Sequence, residues 1–518
     1  MYQIDINNPV HIHFIGIGGI SMSGLAGLLV SRGFTVSGSD RADSEILDGL
    51  RAQGVRIFIG QGAENISDDI DVVVYTAAVH PDNPEYAECV RRGLPMMERA
   101  ALLGQLCKFY KRAIGVAGTH GKTTTTSMMA HILLAGKKDP TISVGGVLPS
   151  IGGNLRIGNG DDFLFEACEY TNSFLKFFPT DEIILNVEAD HLDFFKDIND
   201  IRNSFAAYAE IVPEGGHVVI NGEIDNYREI VKNVKGEVIT YGMKEGGDFD
   251  YTAGDITFDN MGRASYTLVR KGVKGIRITL GVPGIHNVSN SLGAVALASA
   301  LGLTDEEIAE GLVSFTGTDR RFQKKGEVCG VTIIDDYAHH PTEIAATLAT
   351  ARKYHSGKLW VVFQPHTFSR TIALKDEFVN ALKAADAVVM AKIYAAREVD
   401  TGEISSYDIC EELQALGVES YYFDTFDEIE NFLLKNCVNG DLLITMGAGD
   451  VYKIGGTSAG RLSYALYPQL RTKTELWILF GGKPRNCVID RFYPHYPHCY
   501  STVFAWRTPY FQRGFAVL

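Results

Sequence analysis

AIGVAGTHGKTTTTSMMAHILLAG spans residues 113–136. Its first five residues are apolar or glycine, the pattern of a buried parallel strand. A tight segment follows, Gly118-Thr119-His120-Gly121, and then Lys122 and four threonines open an apolar helical stretch. Strand, glycine turn and helix in this order make a phosphate site. Glycine lets backbone N–H groups turn inward, and the helix N-terminus adds its positive dipole end. Lys122 can reach the β- and γ-phosphates, and the Thr123 hydroxyl suits Mg²⁺. The pattern departs from the strict form once, because Val116 stands where its first glycine is expected. An ordinary turn with a surface lysine is the bland alternative; strand, turn, helix and GKT together weigh against it.

A second glycine loop lies upstream. HIHFI (11–15) leads into Gly16-Ile17-Gly18-Gly19-Ile20-Ser21, and a helical stretch with small residues follows to Gly33. Asp40 closes the next apolar run, about twenty residues on, as in a dinucleotide fingerprint. Ser21 replaces the third glycine of that fingerprint. Such a loop signals a nucleotide pyrophosphate, and both NAD and a UDP-sugar meet that demand.

Downstream, several apolar runs end in polar residues. FEACE (165–169) and NVEADH (186–191) end in acids, and a carboxylate at a strand end beside a phosphate loop suits a hard cation. Imidazole is a less typical Mg²⁺ ligand, so His191 is as readily a structural histidine. Thr318-Asp319-Arg320-Arg321-Phe322 pairs two fixed cations, whose planar forks fit phosphate or carboxylate. DDYAHHP (335–341) and QPHTFSR (364–370) both follow apolar runs and look like facing pieces of one site. Strand ends are where open α/β sheets place ligands.

These alternations predict an α/β chain with domains at 1–108, 109–312 and 313–456. The length of 518 residues suits about three domains. With 46% hydrophobic and 21% charged residues the chain is globular in composition. Its net charge of −15 disfavours a nucleic-acid partner, which wants a basic surface. Eight dispersed cysteines form no CxxC pair and predict reduced thiols rather than zinc or disulfides. MYQIDINNPV lacks signal-peptide character, and no apolar run spans a membrane, so a cytoplasmic, membrane-free protein is expected.

Residues 457–518 differ. From residue 456 onward there are eight basic and two acidic residues and 13 aromatics, without clear periodicity. TELWILFGGK (474–483) faintly resembles the first strand and loop of a D-alanine–D-alanine ligase, and the pattern is lost after it. A downstream coding region read through and then shifted in frame accounts for such a tail.

Taken in order, HFIGIGGISMSGLA, GVAGTHGKTTTT, FEACEYTNSF, NVEADHLD, GIHNVSN, GTDRRFQ, DDYAHHPTE, FQPHTFSRT and MGAGDVYKIG resemble the Mur ligase family across about residues 10–455. The resemblance implies three domains: an N-terminal Rossmann-like UDP-binding domain, a central P-loop-type ATPase domain and a C-terminal Rossmann-like domain. It implies ATP-dependent ligation of L-alanine to the lactoyl carboxylate of UDP-N-acetylmuramate through an acyl phosphate, in peptidoglycan precursor synthesis. A peptide-recycling ligase acting on the same sugar nucleotide is the alternative. The implied cofactors are ATP and Mg²⁺, with a monomer or weak homodimer as the assembly.

By the same resemblance, Gly118, Thr119, His120, Gly121, Lys122, Thr123 and Thr124 cradle ATP. Asn287 and Asn290 lie near adenine, and Arg320 or Arg321, with Asp336, approaches ATP from the third domain. Thr123, Glu169 and His191 hold metal. Lys122, His191, Arg320, His340 and Arg370 carry the chemistry. Gly16, Gly18, Gly19, Ser21, Ser23, Asp40, Thr76 and Ala77 line the UDP-sugar site.

Overall fold

A computed structural model describes residues 2–76, 79–192, 194–244, 246–354, 357–396 and 398–454, together with two short strands in the C-terminal segment. Three sheets follow one another along the chain. In the first, β1 (His11–Ile15), β2 (Thr35–Asp40), β3 (Arg56–Ile59), β4 (Val72–Tyr75) and β5 (Met96–Glu98) run parallel in the order β3-β2-β1-β4-β5. The order reverses between β1 and β4, so the glycine loop leaving β1 opens onto a switch-point crevice.

The second sheet contains β6 (Arg112–Ala117), β7 (Thr141–Leu148), β8 (Gly153–Arg156), β9 (Asp162–Ala167), β10 (Asp181–Ile184), β11 (His217–Asn221), β12 (Glu237–Gly242), β13 (Tyr251–Phe258), β14 (Arg263–Arg270) and β15 (Val273–Pro283). Its order is β15-β14-β13-β12-β11-β10-β6-β9-β7-β8. β6 lies between parallel neighbours β10 and β9, again where the order reverses, and the loop at 118–121 leaves its C-terminal end. β13, β14 and β15 form an antiparallel meander that the motif-led reading of the sequence passes over. RASYTLVR (263–270) does alternate: Ala264, Tyr266 and Leu268 are fully buried between more exposed neighbours.

The third sheet comprises β16 (Gln323–Val328), β17 (Val331–Asp336), β18 (Leu359–Phe363), β19 (Ala387–Ala391), β20 (Glu419–Phe423) and β21 (Leu442–Met446), in the order β16-β17-β21-β18-β19-β20. Only β16 is antiparallel. β17, β18, β19 and β21 are buried along their whole length, which explains their unbroken apolar runs.

The cores are not one per sheet. A single apolar cluster runs from Phe14 and Leu102 to Phe165 and Tyr208, so the first and second sheets share it. The helix Arg99–Cys107 makes that join. A Cβ on its Gly104 would lie 1.9 Å from the Lys176 carbonyl oxygen, so only glycine permits this approach. A second cluster packs the phosphate-loop helix, through Met128 and Ile132, against Val288, Leu292 and Val295. The third sheet keeps its own core.

In the C-terminal segment, β22 (Val488–Arg491) and β23 (Thr502–Ala505) pair antiparallel; the rest of that segment lies outside the described residues. Among the described residues, Cys89, Cys107, Cys168, Cys329, Cys410 and Cys437 are free thiols, and no helix is long and apolar enough to cross a membrane.

Candidate functional site

The helix Lys122–Ala135 begins directly at Gly121, whose φ of 81° is the left-handed value an L side chain resists. No side chain caps this helix, so its first N–H groups point into the loop. A Cβ on Gly121 would meet the Asn290 Oδ1 at 2.7 Å. Asn290 in turn donates to the Asn287 Oδ1 at 3.0 Å, and Asn287 donates to the Pro283 carbonyl at 2.7 Å. Thus GIHNVSN, far off in sequence, forms the wall of the glycine loop. One cavity is lined by His120, Gly121, Thr124, Asn287, Asn290 and, from the third domain, Arg321 and Asp336.

The Lys122 ammonium donates to the carbonyls of Gly118 (2.6 Å) and Thr119 (3.2 Å) and to the Glu169 Oε2 (2.9 Å). Burial alone would lower its pKa; the Glu169 carboxylate outweighs this and holds it above the usual lysine value. The other Glu169 oxygen, Oε1, is buried without a hydrogen-bond partner and faces the His191 Nε2 at 3.9 Å. An orphaned buried carboxylate oxygen costs free energy unless a cation or donor meets it. Glu169 and His191 therefore fit a divalent ion. Thr123 does not contact Glu169: its hydroxyl donates to the Glu166 Oε2 at 3.2 Å, while the Gly145 N–H donates to the Glu166 Oε1 at 2.5 Å. Burial raises the Glu166 pKa despite these two donors.

From Glu169 the polar contacts continue outward. The His191 Nε2 is 3.7 Å from the Asp190 Oδ2, and the Asp190 Oδ1 accepts from the Arg370 Nη2 at 3.0 Å and Nε at 3.2 Å. Burial opposes ionisation of Asp190, yet His191 and Arg370 keep its carboxyl below the usual range. Burial lowers the His191 pKa, against the opposing pull of the Asp190 and Glu169 carboxylates. Asp190, His191, Tyr337, His339, His366 and Arg370 line a second cavity. One row of polar groups thus joins the phosphate loop to a second, amphoteric pocket.

The third domain meets the central one at 318–322. The Thr318 hydroxyl lies 3.1 Å from that of Ser127, and the Asp319 N–H donates to the Val147 carbonyl. The two arginines then part. Arg320 is held within its own domain, by Asp335 (3.2 Å), the Gly447 carbonyl (2.7 Å) and the faces of Tyr337 and Tyr452. Arg321 lines the cavity beside the glycine loop, 3.8 Å from the Glu343 carboxylate. Asp336 accepts from the N–H groups of Phe322 and Ala338, both at 2.8 Å, and burial raises its pKa to about 6. The His340 ring lies tilted against that of His120, with 4.5 Å between centroids. His120 itself sits between Glu188 (3.5 Å) and Glu343 (3.4 Å).

In the first domain, Gly16 has φ 83°, and a Cβ there would come within 3.2 Å of the Thr76 methyl. The Gly18 N–H donates to the Asp40 Oδ2 at 2.8 Å, so Asp40 folds back on the loop. Gly19 caps the helix Ile20–Ser31, which carries Ser21 and Ser23 in its first turn. Ala77 lies outside the described residues.

Three cavity-lining residues, His191, Phe322 and Thr367, hold left-handed φ values, as does Arg320 in the loop beside them. Strain of this kind persists where surroundings impose it, often at functional sites. Motif reading includes Tyr337 and His366 in DDYAHHP and QPHTFSR without assigning them a role, and it misses Gly145 and, above all, Glu343. Glu343 is half-buried, and although burial opposes ionisation, His339, His120 and Arg321 hold its carboxyl well below normal. The only local signal is its place in PTE at the start of the helix Pro341–Tyr354, where an acid reads as a cap.

Comparison with known proteins agrees with this architecture. Residues 11–111 match the family model of the Mur ligase catalytic domain, 116–298 the Mur ligase middle domain, and 320–449 the Mur ligase glutamate ligase domain. The UDP-N-acetylmuramate–L-alanine ligase of Lachnospira eligens is 59% identical over 455 residues, covering 88% of this chain and 99% of that protein. The enzyme of the same name from Agathobacter rectalis is 58% identical over the same shares. Among solved structures, a UDP-N-acetylmuramate–alanine ligase from Thermotoga maritima superposes with a TM-score of 0.74 at 31% identity, over 88% of this chain and 99% of that one. A murein peptide ligase from Psychrobacter arcticus shares the fold, with a TM-score of 0.67 at 24% identity over 88% and 99%. With the three domains matched in order and a relative this similar over nearly its full length, the chain belongs to the Mur ligase family.

Proposed function

We propose that this protein uses ATP to join L-alanine to the lactoyl carboxylate of UDP-N-acetylmuramate, a step in peptidoglycan precursor synthesis. What carries this reading is the row Lys122–Glu169–His191–Asp190–Arg370, which links a phosphate loop to an amphoteric pocket, in a chain 59% identical to an enzyme of that name.

The chemistry needs such a row. A carboxylate does not acylate an amine until it is activated. Its oxygen attacks the γ-phosphorus of ATP, ADP leaves, and an acyl phosphate forms. The amine nitrogen then attacks the acyl carbon, loses a proton and expels phosphate. Such a reaction asks for positioning and charge neutralisation more than for a covalent nucleophile.

In this reading Gly118, Thr119, His120, Gly121, Thr123 and Thr124 surround the triphosphate, and Lys122 meets the transferring group. Asn287 and Asn290 flank the base, with Asp336 on the third-domain side. Of the arginine pair, Arg321 takes the phosphate-facing role, because it lines the cavity while Arg320 braces the loop that presents it. Glu169 and His191 would hold Mg²⁺, with Thr123 and Glu166 beside them; a bound Mg²⁺ neutralises phosphate charge. Arg370 offers its fork to the alanine carboxylate, and Asp190 attracts the ammonium. His340 closes the far side. Gly16, Gly18, Gly19, Ser21, Ser23, Asp40 and Thr76 receive the UDP moiety.

Phosphate release from ATP and Mg²⁺ tests this. Release is expected only with UDP-N-acetylmuramate and L-alanine together, and Lys122→Ala abolishes it. Release with a peptide in place of alanine supports the recycling ligase instead.

A further inference from the structure

We propose that the seam between the central and third domains carries a binding site for a transition-metal ion of the Zn²⁺ class, formed by His120, Glu188 and His340. One ligand atom from each of these three residues lies within 4.8 Å of the other two. His120 and Glu188 come from the central domain; His340 comes from the third.

Four observations converge on it. The His120 Nε2 is buried and lacks a hydrogen-bond partner, and it lies 3.5 Å from the Glu188 Oε2. Ligand atoms about 2.0–2.2 Å from a tetrahedral zinc ion lie roughly 3.4 Å apart, so this pair already has the required separation. The other ring nitrogen of His120 faces the Glu343 Oε1 at 3.4 Å. A carboxylate behind a histidine is the usual support of a metal-bound imidazole, fixing its tautomer and orientation. His340 is weakly committed: its nitrogens contact the Ala189 carbonyl and the Thr342 N–H, both at 3.4 Å. Glu188 receives one hydrogen bond, from the Thr342 hydroxyl at 2.8 Å, leaving its carboxylate able to bind a cation.

Two imidazoles and one carboxylate favour Zn²⁺, Co²⁺ or Ni²⁺ over Mg²⁺, which prefers oxygen ligands. The site is separate from Glu169 and His191. It leaves a fourth position for water or a phosphate oxygen, because His120 and Glu188 also line the cavity beside the glycine loop. A bound ion would tie the two domains together at this seam.

The test is titration of the full chain with Zn²⁺ by calorimetry, in excess Mg²⁺ and without nucleotide. The wild type is expected to bind one ion. Glu188→Gln and His340→Ala each weaken that binding at least about tenfold, since losing a direct ligand costs no less than losing a supporting one. His191→Ala leaves it within about twofold. Absence of binding in excess Mg²⁺ overturns the site, as does wild-type affinity in either folded seam variant, or loss confined to His191→Ala. If a seam variant fails to fold, Co²⁺ bound to the wild type decides. Intense visible absorption marks a low-coordinate site, and the weak spectrum of an octahedral oxygen site overturns it.

Discussion

Gly121→Ala probes the wall of the phosphate loop. At φ 81° an L residue pays roughly 1–2 kcal/mol for the left-handed conformation. The added methyl would stand 2.7 Å from the Asn290 Oδ1, closer than carbon and oxygen tolerate. Asn290 is buried and tethered to Asn287, which is tethered to Pro283, so it yields only by giving up a hydrogen bond. That adds about 1–3 kcal/mol of overpacking. The sum is about 2–5 kcal/mol, and at about 2–4 °C per kcal/mol the melting temperature falls by roughly 4–20 °C. In an Asn290→Ala background the overpacking disappears and only the backbone cost remains. Thermal melts of the four proteins in the cycle should therefore show about 1–3 kcal/mol of coupling. Additivity within about 0.5 kcal/mol refutes the contact as the cause. A melt unchanged by Gly121→Ala refutes both parts of the argument.

Other expectations follow from the same geometry. Asp336 has its folded pKa raised to about 6 by burial, so its contribution to stability is full below the unfolded value and lost as pH rises through 6. Asp336→Asn should remove the part of the melting-temperature slope that lies between about pH 4 and 6; an unchanged slope rejects the assignment. Arg370→Lys keeps the charge but loses the two-pronged grip on Asp190, and should raise the KM for alanine about tenfold with ATP binding unaffected. Arg321→Ala should impair phosphate release through the KM for ATP, while Arg320→Ala should lower the melting temperature as well, because it removes the contacts to Asp335 and Gly447. Deleting 457–518 should leave phosphate release intact, since every contact named above lies before residue 455; loss of activity in a folded truncation contradicts this.

Much of the machinery is legible in the chain alone because phosphate binding is local chemistry. A strand end, a positive-φ glycine, a lysine and a hydroxyl sit within a few residues of one another, and a loop of this kind binds phosphate through its backbone. Gly16–Asp40, Gly118–Thr124 and the fully buried strands β17, β18, β19 and β21 therefore announce themselves through composition and spacing. The same applies to GIHNVSN and NVEADH once the family resemblance supplies their context.

Side-chain partnership is different, because it is set by where distant strands end. Nothing in FEACE tells which acid meets Thr123 and which meets Lys122. Glu166 is placed by β9 and its register beside β6, whereas Glu169 lies past the end of that strand, where the chain turns into Tyr170–Lys176. Neighbouring arginines diverge because Arg320 takes a left-handed backbone at a domain junction, turning its side chain inward while Arg321 faces the cavity. Glu343 looks like a helix cap until His120 and Arg321 arrive from elsewhere to hold its charge. Local backbone chemistry was readable along the sequence; the pairing of buried charges across a domain seam, which depends on long-range electrostatics and packing, was decided only by the tertiary structure.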